Sequence, residues 1–141
     1  MHSAEHILNQ AMVRRFGCDR CFSAHIERKK SKCDYRFDRP LTGEETKALE
    51  NDVNGVIDAD VPVLERFVSL DEARRALNLS RLPDDAGDRI RIVSIGDYDH
   101  CPCIGPHVSS TGEIGAFQIT SSGYEDGVLR IRFKLKRREI R

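Results

Sequence analysis

No stretch of this 141-residue chain approaches the apolar length that spans a bilayer, and no apolar segment of signal-peptide type stands in it. Those absences exclude a helical membrane span within these residues and leave the cytoplasm as the expected location. Net charge is absent as well, with 23 basic side chains against 23 acidic ones, so no general attraction to polyanions follows from the total. The five cysteines (Cys18, Cys21, Cys33, Cys101 and Cys103) are odd in number and too sparse for a secreted disulfide scaffold. In a reducing compartment they are thiols or metal ligands. No internal repeat and no long linker divides the chain, and its length suits one domain over residues 1–141 with a core of its own.

What the chain does have is charge in one place. Residues 128–141 carry seven basic side chains (Arg130, Arg132, Lys134, Lys136, Arg137, Arg138 and Arg141) against Glu139 alone. The remaining residues hold 16 basic and 22 acidic groups, a net of −6. Such a split allows either a local contact with a polyanion or a solvated, solubilising tail.

The pattern of apolar residues predicts a helix over residues 3–16, with Ile7, Leu8, Ala11, Met12 and Phe16 on one face and Gly17 as terminator. Strands are expected over 22–29 and 33–37, joined by a turn at Lys30, Ser31 and Lys32. Thr42-Gly43-Glu44-Glu45 is a capping-box signature opening a second helix with Leu49, Val53, Val56 and Ile57 inward. Val61 to Val68 suggests a strand with Pro62 near its start, Asp71 caps a short helix through Ala73, Ala76 and Leu77, and residues 81–88 are loop. Ile90, Ile92, Val93 and Ile95 predict a strand running straight into the Cys103/His107 segment, and 114–119 another, followed by a turn near Gly123 to Gly127. The last strand alternates cleanly, Leu129, Ile131, Phe133 and Leu135 opposite Arg130, Arg132, Lys134 and Lys136. Together these make an α+β fold, a largely antiparallel sheet packed with helices on one face.

Two short segments carry chemistry. In His2-Ser3-Ala4-Glu5-His6 the histidines stand four apart, so on a helix they share a face and can grip one ion together. Cys103-Ile104-Gly105-Pro106-His107 holds a second pair at the same separation, with Gly105 and Pro106 suited to a rigid turn. Were the two pairs to meet, one cysteine and three histidines would suit tetrahedral zinc. Spacing alone demonstrates no such meeting. The first segment also matches the H-x-x-E-H of inverzincin proteases, with Glu5 as base, but without their structural context; Glu5 reads better as an exposed acid in a first helical turn. Cys18-Asp19-Arg20-Cys21 with Cys33 is either a further metal or redox cluster or a set of incidental thiols. His100 and Cys101 read as surface groups or supports of the main site, and His25 as a core or surface histidine.

The order of these segments is specific. His2/His6, then Phe37-Asp38, Leu41-Thr42-Gly43-Glu44-Glu45, Cys103/His107 with Val108, and Thr111-Gly112-Glu113-Ile114-Gly115 resembles the editing domain of alanyl-tRNA synthetases and their free-standing AlaX relatives, over nearly the whole chain. The ending from Gly127 to Leu135 is similar to the small AlaX type. The resemblance implies the threonyl/alanyl-tRNA synthetase editing-domain fold and a Zn2+ site at His2, His6, Cys103 and His107. It further implies a trans-editing hydrolase that deacylates mischarged tRNA, chiefly Ser-tRNA(Ala), because a pocket built for alanine cannot strongly exclude one added hydroxyl. Counted from Gly17, Ser23 matches the position that recognises serine or positions water, although AlaX proteins usually hold threonine there and the synthetases glutamine. Arg130, Arg132, Lys134, Lys136, Arg137 and Arg138 would meet phosphates near the tRNA acceptor end, extended by Arg28, Lys29, Lys30 and Lys32. Two alternatives stay open: an editor of Ser-tRNA(Thr), and a tRNA-binding module whose zinc is only structural.

Overall fold

The computed structural model describes residues 2–27, 30–69, 89–102 and 107–136. The short helix expected from Asp71, the loop at 81–88, and Cys103, Arg137 and Arg138 therefore lie outside the described residues. The chain runs α1 (His2–Phe16), β1 (Ser23–Ile26), β2 (Ser31–Arg36), α2 (Gly43–Asp58), β3 (Val63–Ser69), β4 (Arg89–Ile95), β5 (Asp99–Pro102), a 3-10 turn (Thr111–Ile114), β6 (Ala116–Glu125) and β7 (Val128–Lys136). Among the described residues the result is α+β and antiparallel throughout, as expected, but the strands form two sheets rather than one. A four-stranded sheet has the order β1-β2-β7-β6, and a three-stranded sheet the order β3-β4-β5.

Each long element follows from local chemistry. Gly17 ends α1 at φ 68°, a conformation that costs glycine little, with its N–H donating to the Val13 carbonyl. α2 opens on the expected capping box: the Glu45 N–H donates to Thr42 Oγ1 at 3.1 Å, and the Thr42 N–H to Glu45 Oε1 at 3.0 Å. Arg39 clamps the same carboxylate at 2.6 and 2.7 Å, which with the cap holds Glu45 down to about 2. Thr42→Ala is expected to cost about 1 kcal/mol of stability, read as a lower urea midpoint at unchanged slope.

α1, α2 and the inner face of the four-stranded sheet enclose one core. Ile7, Leu8 and Met12 of α1 and Leu49, Val53 and Ile57 of α2 pack with Tyr35, Phe117, Leu129, Ile131 and Phe133 of the sheet, all buried. Each such side chain contributes about 1.5–3 kcal/mol by leaving water. The clean alternation of β7 is what puts Leu129, Ile131 and Phe133 inward and its basic residues on the far face.

Four expectations are corrected. The β1–β2 turn is not centred on Ser31: both Ser31 and Lys32 belong to β2, and the Ser31 hydroxyl closes the hairpin, donating to the Glu27 carbonyl at 3.1 Å and accepting from its N–H at 3.0 Å. The strand expected at 114–119 starts only at Ala116, after the 3-10 turn and Gly115 at φ 90°, and runs on to Glu125 past a bulge between Ile119 and Ser121. The turn that follows is correspondingly tight, with Asp126 at φ 50° and Gly127 at φ 81°. β4 does not run straight on towards His107, because β5 folds back against it, pairing Ile95 with Asp99 and Ile92 with Pro102.

Candidate functional site

α1 carries His2 and His6 one turn apart at its beginning, and the chain returns to meet them a hundred residues later. The His107 ring lies 4.7 Å from that of His6, edge to face, and 6.0 Å from that of His2, centroid to centroid. Three of the four expected ligands therefore converge, two from the first turn of a helix and one from the segment leading to the 3-10 turn. That segment is anchored, with the Val63 N–H donating to the Ser109 carbonyl and the Thr111 N–H to the Val61 carbonyl, both at 2.9 Å. Cys103 lies outside the described residues.

The surroundings orient these rings. Ser3 Oγ sits 2.8 Å from His107 Nδ1 and accepts from the Val108 N–H at 3.4 Å, so α1 itself grips the returning segment. With Nδ1 taken up by a hydroxyl, Nε2 is the nitrogen of His107 suited to a ligand role. Burial, then the neighbouring charge of His2, lowers His107 to about 4, so its ring is neutral at physiological pH. On His6 the Nδ1 atom lies 3.6 Å from Asp99 Oδ2, and both side chains are almost fully buried. Arg20 holds that carboxylate from the other side, Nη1 to Oδ1 at 2.7 Å and Nη2 to Oδ2 at 3.4 Å.

Imidazoles brought close together, one backed by a buried carboxylate, are the kind of donors that zinc takes. A cavity of about 240 Å³ adjoins His107, walled by Val63, Val93, Val108 and Ser109 and by Arg91 and Glu65, which are paired at 2.6 Å. It is small by the standard of ligand pockets and suits a small group.

Comparison with known proteins gives the same direction. Residues 90–132 match the model of the threonyl and alanyl tRNA synthetase second additional domain. The chain is 33% identical over 138 residues to the alanine–tRNA ligase of Idiomarina loihiensis, 34% over 138 to that of Methylobacillus flagellatus and 36% over 132 to that of Fervidobacterium nodosum. The chain is similar to this domain and to one region of the alanine–tRNA ligases. Each of these alignments covers 92% of the chain but only 15% of the ligase, so the likeness is to one region of a much longer enzyme.

The structure separates residues that the sequence placed together. Ser23 is exposed on β1 opposite Asp34, while its neighbours Ala24 and Ile26 turn towards the core. It therefore lies on the sheet face that turns away from α1, and no contact among the described residues brings it to the histidines. Ser23→Ala is accordingly expected to leave activity within about twofold, the effect of an ordinary surface substitution. A loss of tenfold or more would return Ser23 to the site.

The basic row of β7 lies on that same outer face. Arg130 is paired with Asp34 at 2.7 and 3.0 Å, Arg132 and Lys136 are exposed, and Lys134 is half-buried. Asp34 is held below the usual carboxylate range by that guanidinium, and so one of the row's charges is already neutralised. His25 pairs with Glu27 at 2.7 Å on the surface, and His100 is exposed with Nδ1 2.7 Å from Ser94 Oγ. Cys101 is half-buried on β5, its Sγ 3.5 Å from the Pro102 carbonyl.

Glu5 is the clearest correction. It is not an exposed first-turn acid but 5% exposed, with Oε2 at 3.9 Å from His2 Nδ1. The whole run from Ser3 to Asn9 is buried, because α1 begins beneath the returning segment rather than on an open surface. Asp99, Arg20 and Ser3 carried no signal in the sequence as site residues, since each acts through a partner some eighty to a hundred positions away.

Proposed function

We propose that this chain hydrolyses the ester linking a wrongly attached amino acid to the 3′ end of tRNA, with Ser-tRNA(Ala) as the first substrate, at a zinc site formed by His2, His6, His107 and Cys103. The observation that carries this reading is the convergence of three histidines from segments about a hundred residues apart, one of them backed by a buried carboxylate. The likeness to one region of alanine–tRNA ligases supports tRNA as the substrate class.

Zinc bound there would supply Lewis acidity towards the ester carbonyl and a lowered pKa for water. The chain's own groups do the rest. Ser3 fixes the His107 ring through its Nδ1 atom, and the Asp99 carboxylate faces Nδ1 of His6 at 3.6 Å, which leaves the opposite nitrogens for the metal. The small cavity beside His107 is the place for the seryl group, and its Arg91–Glu65 pair supplies polar partners for a hydroxyl and an ammonium. Water adds to the ester carbonyl carbon, the bond to the ribose oxygen breaks, that oxygen takes up the proton, and free serine leaves.

The test is deacylation by the purified chain, zinc-loaded and chelator-treated, on Ser-tRNA(Ala), Ser-tRNA(Thr) and Ala-tRNA(Ala) in parallel. Hydrolysis of Ser-tRNA(Ala) that is lost on chelation and restored by zinc is the expected result. Faster hydrolysis of Ser-tRNA(Thr) would reassign the tRNA. Binding without hydrolysis by folded, zinc-loaded protein would leave a tRNA-binding module with a structural metal.

A further inference from the structure

Behind the histidines, α1 turns a second donor set towards the sheet. While Glu5 Oε2 faces His2, its other oxygen, Oε1, lies 3.7 Å from the Sγ of Cys21. Cys33, inward on β2, completes the group: the Glu5 carboxylate and the two sulfurs all lie within 4.8 Å of one another. All three side chains are buried, at 5%, 1% and 0% exposure. One turn along α1, Asn9 is fully buried beside them, its Oδ1 accepting from the Cys21 N–H at 3.1 Å and from the Tyr35 hydroxyl at 2.9 Å. The Asn9 amide nitrogen is buried with no hydrogen-bond partner among the described residues.

The arrangement is costly for a plain core. Two thiols and a carboxyl make poor hydrogen bonds with one another, and apolar side chains of the same volume would fill the space without desolvating polar atoms. The hydrogen bond with Cys21 and burial push the Cys33 thiol far up, so in isolation it stays protonated. A thiophilic cation changes that balance. Zinc binds sulfur at about 2.3 Å, which in a tetrahedron sets its donors a little under 4 Å apart, within the spread seen here. Two sulfurs and one carboxylate oxygen favour Zn2+ or Cd2+ over Mg2+ or Ca2+, which take oxygen alone.

We propose that Glu5, Cys21 and Cys33 form a second, buried cation site of S2O type, specific for a thiophilic divalent ion, zinc first. Binding replaces the two thiol protons, which pass to solvent, and leaves both cysteines as thiolates; no oxidant or reductant is needed. The fourth place falls to a small ligand, for which the Asn9 amide nitrogen is the waiting donor. The site shares an acidic residue with the histidine cluster through the two oxygens of Glu5, so it braces the first turn of α1 from beneath. It does not depend on the deacylase reading.

The test uses the full chain loaded with cadmium in place of zinc. Thiolate-to-metal charge-transfer absorbance counts bound thiolates, and mass spectrometry counts ions. Wild-type chain should show the signal of Cys21, Cys33 and Cys103 together, and Cys33→Ser should remove roughly two thirds of it together with one ion per chain. Cys103→Ala should remove the complementary third and the other ion. Because Cys33→Ser sits in the core, Cys21→Ala provides a second route, with the same two-thirds loss expected. A cadmium signal that neither Cys33→Ser nor Cys21→Ala reduces would overturn the proposal. Loss of deacylation in Cys103→Ala with the two-thiolate signal intact tests the histidine site separately, so failure of one reading leaves the other standing.

Discussion

His6→Ala is expected to abolish deacylation of Ser-tRNA(Ala), by on the order of a thousandfold or more, if metal polarisation supplies several kcal/mol of transition-state stabilisation. His6 sits at the centre of the cluster, 4.7 Å from His107 and against buried Asp99, so no other imidazole among the described residues can take its place. The same substitution should lower zinc content. It also opens a small buried space, since His6 is 3% exposed, and a folding defect must be separated from a chemical one. His6→Asn keeps a polar group in that volume and serves as the control. If either variant, folded by circular dichroism, retains activity within tenfold of wild type, His6 is not a ligand and the metal site must be built otherwise.

Much of this site was legible from spacing, and the rest was hidden for identifiable reasons. His2 and His6 stand at helical separation, which a sequence displays directly. Their meeting with His107 depends on the fold-back of β5 and on the Ser3–His107 contact across 104 positions, which no local pattern encodes. β7 was readable because one face is buried and the other wet, so its residues alternate. β5 was not, because Asp99-His100-Cys101-Pro102 has no alternation and its buried residue is a carboxylate. Asp99 can be buried only because Arg20 neutralises it from 79 positions away.

Glu5 lies inside where an exposed position was expected, and Ser23 lies on the outer face of its sheet, for related reasons. Glutamate in a first helical turn is ordinarily solvated, and only the packing of that turn beneath the returning segment buries it. Ser23 was placed by counting from Gly17, but strand register decides the face, and a single step of register exchanges inside for outside. The observed pairing puts Ser23 opposite Asp34 and turns Ala24, opposite Cys33, inward. Two residues before Ser23, Cys21 faces the carboxylate of Glu5, which a count along the chain could not show.

The second large effect is expected at Asp99. This residue is 1% exposed and holds two cations or potential cations at once, Arg20 at 2.7 Å and His6 at 3.6 Å. Its carboxylate keeps the Arg20 guanidinium charged inside the fold, raising it well above its ordinary value against a desolvation that would lower it. Asp99→Ala leaves that guanidinium without its partner. Breaking a buried pair costs about 3–5 kcal/mol, and because Arg20 keeps some solvent access, about 2–3 kcal/mol is expected here, measured by urea unfolding of chelated protein. Removing both partners together, Asp99→Leu with Arg20→Met, should recover most of that loss, since no unpaired charge remains. Zinc affinity should not recover. The 3.6 Å contact to His6 is too long for a hydrogen bond in this structure, yet it aims a carboxylate at the nitrogen opposite the one that would ligate, and such supports are worth about 10–100-fold in metal affinity. Competition of each variant against a zinc chelator separates the two roles: a double variant that regains stability but binds zinc about 10–100-fold more weakly shows Asp99 positioning His6. One that binds zinc like wild type shows Asp99 serving Arg20 alone.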